Sequence, residues 1–284
     1  MTDVLFGPDE VQIRELVAWP LDPYPYRDRA ISPPQIAAAR SRAAEHFSPF
    51  DGATSALHLP WTEDLKPLLS PHLCRPDLKC EYAGFDWTLG VVDLHHLLAF
   101  QRRLVLDPAL RHDPLPHPDN WPALLDLALN GSRNTTCTHS IEQHTADRIE
   151  LTVRSTNPDL NVMPITNPSV PFLLRVSGGA PFFEVARLDD RWFLRDGYHR
   201  AYRLLRAGLR FTIAVVLRVG SIAELGAVQP WFFSEADLRS ERPPRVVDFL
   251  EDRLTLTYTR PRLHKTIRIC IQESLEPSQT GEPS

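Results

Sequence analysis

Hydrophobic and polar positions along the chain change rhythm twice. Residues 1–60 read as a Pro-punctuated arm: Trp19 to Arg29 (WPLDPYPYRDR) is too rich in proline for a helix interior or a central strand, because each proline fixes φ and removes a backbone donor. One helix is predicted within the arm. Ser32-Pro33-Pro34-Gln35 supplies a cap residue, first-turn prolines and a capping-box Gln ahead of the helix-forming run IAAARSRAAEHF. Residues 61–130 follow a mainly helical period. From Asp93 to Leu106, Leu94, Leu97, Leu98 and Leu104 fall near one face, with Gln101, Arg102 and Arg103 on the other. A shorter helix is predicted in WPALLDLALN, ended by Asn130-Gly131.

Beyond Gly131 the period becomes alternating. Ile149, Leu151 and Val153 interleave with Glu150, Thr152 and Arg154, as in a half-buried strand, and Phe172–Val176 is a second strand candidate. Phe182–Val185, a turn at Leu188–Arg191, Trp192–Leu194, a helix from Tyr198 to a Gly208 cap, and Phe211–Val219 give the order strand, turn, strand, helix, strand. Leu254, Leu256 and Tyr258 alternate with threonines, and Ile267, Ile269 and Ile271 alternate after RPRLH, which predicts a C-terminal hairpin within residues 221–273. Residues 274–284 are expected to be a disordered tail.

Composition narrows the classes. A chain of 284 residues accommodates about two domains. No apolar run reaches the ~20 residues needed to span a bilayer, and the N-terminus lacks the order of a secretory signal, so a cytoplasmic protein without membrane partners is expected. The net charge of -5 disfavours a protein that coats duplex nucleic acid. Lysine occurs only at positions 66, 79 and 265; with 27 prolines, this reads as bacterial-type, GC-rich coding. The four cysteines form no CxxC pair. His139 and His144 bracket Glu142 near Cys137 without HExxH spacing, and neighbouring His95 and His96 would diverge by about 100° on a helix, so no metal site is predicted. No GxSxG, Walker-type or GxGxxG motif occurs.

Candidate chemistry concentrates at Asp196, Gly197, Tyr198, His199 and Arg200, where a strand ends and a helix begins. Unpaired N–H groups and a partial positive charge make a helix start attractive to anions. Gly197 permits close backbone approach, and His199 and Arg200 add a titratable donor and a fork-shaped cation suited to phosphate. The same residues suit a structural role, with Asp196 capping the helix and Arg200 paired to Glu184 or Asp196.

This segment resembles the ParB/sulfiredoxin superfamily, whose members carry a G-x-H/R-R tetrad at a helix start after a β-hairpin. Gly197-Tyr198-His199-Arg200 fits, as do Pro181, Asp196 and the spacing of Ala201, Leu204, Ala207 and Gly208. The resemblance covers about 40 residues, with an earlier strand of the fold expected around Asn161–Ile165. It implies an α+β fold with a ParB/sulfiredoxin-like domain over residues 131–220. It also implies contact of the Asp196–Arg200 turn with a nucleoside triphosphate, ATP or CTP, with Mg²⁺. Tyr198 stands where sulfiredoxins place their nucleophilic Cys, so that activity is not expected. Pro230, Pro243 and Pro244 interrupt the region where partition proteins carry a helix-turn-helix, so sequence-specific DNA binding is disfavoured. Eight arginines from Arg187 to Arg218 suggest a local positive field. No catalytic residue stands out, although Glu150, Glu184 and Asp196 are the carboxylates expected near the tetrad. Two functions remain open: an NTP-dependent phosphotransferase or nucleotide hydrolase, and a non-catalytic nucleotide-sensing or partner-binding protein whose N-terminal half forms an interface.

Overall fold

The computed structural model describes residues 10–19, 32–44, 54–107, 114–130, 137–156, 160–167, 170–177, 182–229 and 232–275. The chain is a mixed α+β protein divided into two compact units, residues 1–131 with 181–261, and residues 132–180 with 262–284. The segment 131–220, expected to be one domain, is therefore shared between them. Most of the proline-rich run and the expected tail lie outside the described residues.

In chain order, the first unit begins with β1 (Glu10–Leu16), α1 (Pro33–Ala44), α2 (Leu59–Asp64), α3 (Lys66–Leu69), α4 (Pro76–Glu81), β2 (Asp86–Asp93), β3 (Leu98–Ala99), β4 (Arg103–Leu106) and α5 (Trp121–Leu129). The second unit supplies β5 (Thr138–Thr145), β6 (Arg148–Ser155), β7 (Asn161–Asn167) and β8 (Val170–Ser177). The first unit resumes with β9 (Glu184–Leu188), β10 (Arg191–Asp196), α6 (Tyr198–Arg206), β11 (Phe211–Val219), α7 (Ile222–Leu225), α8 (Glu235–Arg239) and β12 (Thr255–Pro261); β13 (Lys265–Gln272) returns to the second unit.

The first unit is built on a five-stranded sheet in the order β2-β11-β9-β10-β3. β11 pairs antiparallel with β2 and parallel with β9, and Ile213 to Leu217 are buried between them. Strands covered on both faces read as continuous apolar runs, which is why Phe211–Val219 was legible as one. β9 and β10 form a tight antiparallel hairpin whose turn holds Asp189 at φ 57°. The register slips between Leu194 and Asp196, so Arg195 is the extra residue of a bulge opposite Glu184. α6 buries Tyr198, Ala201, Tyr202, Leu204 and Leu205, one stripe at helical spacing. It ends in a Schellman arrangement, in which Leu209 N bonds Leu204 O and Gly208 N bonds Leu205 O around a left-handed Gly208.

Several expectations are corrected. Asp93–Leu106 is not a helix: β2 ends at Asp93, a 3₁₀ turn covers Leu94–His96, and β3 and β4 follow. Leu94, Leu97, Leu98 and Leu104 are buried, but from separate elements that meet in the core. The arm before residue 60 contains a full strand, since β1 is central in a three-stranded sheet, β12-β1-β4, as well as the expected helix α1. The C-terminal alternating segments do not form a hairpin: β12 pairs with β1, whereas β13 pairs with β6. Asn161–Ile165 is a strand, yet β7 pairs with β8 in a two-stranded sheet of the second unit and is not part of the five-stranded sheet that holds β9, β10 and β11.

The second unit holds this two-stranded sheet and a three-stranded one, β13-β6-β5, in which Ile149, Leu151 and Val153 lie opposite Ile271, Ile269 and Ile267. No helix among the described residues is long and apolar enough to cross a membrane.

Candidate functional site

The Asp196–Arg200 turn sits where expected, between β10 and α6. Gly197 adopts φ 97°, a conformation that L-residues rarely take. A Cβ there would lie 2.8 Å from Cδ2 of Phe183, so the space freed by the glycine is filled by that ring. The Asp196 carboxylate accepts from the Gly197 amide, and Gly197 itself is the N-cap residue of α6.

The three side chains that follow are engaged by the protein itself. Tyr198 is 4% exposed, and its hydroxyl accepts from the amides of Phe100 at 3.0 Å and Gln101 at 3.2 Å. Burial pushes its phenol well above the ordinary tyrosine range. His199 Nε2 lies 2.9 Å from the carbonyl of Val105 on β4, placed to donate to it. Arg200 donates through Nη1 to the Leu127 carbonyl at 2.9 Å and through Nη2 to the Phe182 carbonyl at 2.6 Å, with its guanidinium 5.6 Å from the centre of the Phe183 ring. Desolvation lowers the Arg200 pKa, while the charges of Asp196 and Glu184 oppose that shift.

Beneath the turn lies a buried polar cluster. Glu184 is 3% exposed; its carboxylate accepts from Tyr82 Oη at 2.8 Å and from Arg195 Nη1 at 2.6 Å. Burial pushes this carboxyl above its ordinary range, with Arg195 opposing. Glu184 and Asp196 thus lie near the tetrad as expected. Glu150 belongs to the second unit, on β6, with Arg268 and His144 each 3.8 Å away. Tyr82 carries no sequence signal of its role, being far from Glu184 along the chain.

Part of the expected arginine field is engaged by the protein itself. Arg191 donates to the carbonyls of Leu238, Arg239 and Ser240, Arg195 pairs with Glu184, and Arg210 pairs with Asp93 at 2.6 Å. Burial pushes the Asp93 carboxyl up, but the Arg210 hydrogen bonds, the His95 amide and the His96 charge outweigh it, leaving its pKa below the ordinary range. Among the described residues, no group of three or more His, Cys, Asp or Glu side chains could hold a metal ion.

A second feature lies at the opposite end of α6. A cleft of about 510 Å³ is lined by Trp61, Trp121, Phe211, Asp64, Asp119 and Arg210, among others. Trp61 meets Trp121 at 5.6 Å and 65°, and Phe211 at 4.5 Å and 71°. Its parts come from α2, from Asp119 and the first turn of α5, and from the loop leading into β11. No local pattern in the sequence brings them together. Compared with known protein families, with curated proteins and with solved structures, the chain matches none.

Proposed function

We propose that this chain is a non-catalytic binding protein on a ParB/sulfiredoxin-like core, in which Gly197–Arg200 locks the fold and recognition occurs elsewhere in the first unit. The observation that carries this reading is the fate of the tetrad side chains. Tyr198, His199 and Arg200 bond backbone groups of the β3–β4 connection, β4, α5 and the lead-in to β9. A nucleotide using His199 and Arg200 would strip the carbonyls of Val105, Leu127 and Phe182 of these donors. Leaving a buried backbone group unpaired costs about 1–3 kcal/mol.

The test is calorimetric titration with ATP, CTP, GTP and their diphosphates, with and without Mg²⁺, alongside thermal melting of Arg200→Ala. The lock predicts no saturable binding and a lowered melting temperature. Micromolar nucleotide binding that Arg200→Ala abolishes without changing the melt would overturn it. The N-cap residue of α6, Gly197, has no side chain of its own to offer the first-turn amides, which favours a second reading in which those amides hold the phosphates of a nucleotide. Nucleotide binding that survives Arg200→Ala, or release of phosphate, would support that reading.

A further inference from the structure

We propose that the cleft at the C-terminal end of α6 binds a small organic cation with a methylated ammonium head. The proposal rests on reading the chain as a binding protein but uses no residue of the tetrad.

Three observations converge. Trp61, Trp121 and Phe211 all line the cleft, with Trp61 packed edge-to-face against each of the other two at 65° and 71°. An aromatic lining attracts a cation through the negative faces of its rings. The protein already holds a cation at this wall, since the Arg210 guanidinium stands 5.1 Å from the centre of the Phe211 ring.

Charge is the second observation. The Arg210 charge is offset by Asp93, which accepts from its Nε at 2.8 Å and its Nη2 at 2.6 Å. Asp64 and Asp119 are exposed on the lining. Among the described residues, His117 lies 3.7 Å from Asp119 and is a counter-charge only when protonated. The α6 C-terminus at Gly208 adds partial negative charge to the lining, while the α5 N-terminus opposes it. Asn120 caps that second end, and Asp119 precedes it, so the balance of the lining favours a cation.

Size is the third. About 510 Å³ falls within the range of small-molecule sites and exceeds what a trimethylammonium group alone fills, leaving room for a short tail.

The experiment follows the indole N–H resonances of the full chain by NMR, with Trp121→Phe assigning one of the six tryptophans. Choline, tetramethylammonium and 3,3-dimethylbutan-1-ol, the neutral isostere of choline, are titrated in parallel. We expect both cations to shift the Trp61 and Trp121 resonances saturably, with the neutral isostere about tenfold weaker. Asp64→Asn should weaken choline about threefold without changing the melting temperature. Equal affinity for the isostere would leave an apolar site and sink the cation assignment. No shift at up to about 50 mM choline would sink the site altogether. A trimethyllysine peptide outcompeting choline would overturn assignment to a small molecule. The binding-protein reading fails by a different result, nucleotide binding or turnover in the calorimetric screen.

Discussion

Arg200 donates to the carbonyl of Phe182 at 2.6 Å, and the ring of the next residue, Phe183, occupies the space left by the missing Cβ of Gly197. The tetrad thus grips one short segment twice, once by a hydrogen bond and once by packing. This makes the lead-in to β9 part of the helix start.

Arg200→Ala should lose about 3 kcal/mol, because two carbonyls lose a charged donor. For a unit of this size that corresponds to a melting temperature lower by roughly 6–12 °C. Arg200→Lys should recover little, since one ammonium cannot span both carbonyls as the fork does. Melts followed by circular dichroism read both effects; an unchanged melt for Arg200→Ala would rule out the lock.

Two glycines separate backbone strain from packing. Gly208 has φ 78° with nothing within 4 Å of a built Cβ, so Gly208→Ala should cost about 1 kcal/mol. Gly197→Ala carries a similar strain plus a 2.8 Å encounter with Phe183, and should cost about 3 kcal/mol. Urea midpoints measure the difference. Equal costs would mean that Phe183 moves aside freely.

Tyr198→Phe keeps the ring but leaves the amides of Phe100 and Gln101 without an acceptor, at a cost of about 2 kcal/mol. Tyr198→Cys should not create sulfinic acid repair, because a residue only 4% exposed cannot meet an oxidised partner protein. ATP-dependent repair of a peroxiredoxin sulfinic acid by this variant would contradict the burial of the turn.

Glu184 and Asp93 should respond to pH with opposite signs. The folded pKa of Glu184 is raised by burial, so its contribution is full below the unfolded value of about 4.3 and declines as pH rises through the folded one. Glu184→Gln should therefore gain stability relative to wild type as pH rises from about 4.3 toward neutrality. The folded pKa of Asp93 is lowered, so its contribution is present above about 3.9 and lost as pH falls through the folded value. Asp93→Asn should cost about 2 kcal/mol at neutral pH and converge on wild type in acid. Denaturation midpoints across that range decide each sign. If Glu184→Gln instead loses ground as pH rises, the Arg195 pair outweighs burial.

The sequence by itself determined the local elements from Phe182 to Val219: hairpin, left-handed glycine, helix and buried strand. Each follows from a backbone period or turn chemistry acting within a few residues, as do helix α1, where the Gln35 side chain accepts from the Ser32 amide, and the alternating β6. The same reasoning misread Asp93–Leu106, because leucines that meet in the core by tertiary closure mimic a helical stripe. There Leu97 O accepts from Val246 N and Ala99 N donates to Pro244 O, contacts that no local period encodes. It also left the roles of His199 and Arg200 open, since either could face a phosphate or a carbonyl. Only the tertiary structure decided their partners. Val105, Leu127 and the Tyr82 hydroxyl that meets Glu184 lie 94, 73 and 102 residues away from their partners. Local geometry sets where a side chain begins, while the closure of distant segments sets what it touches.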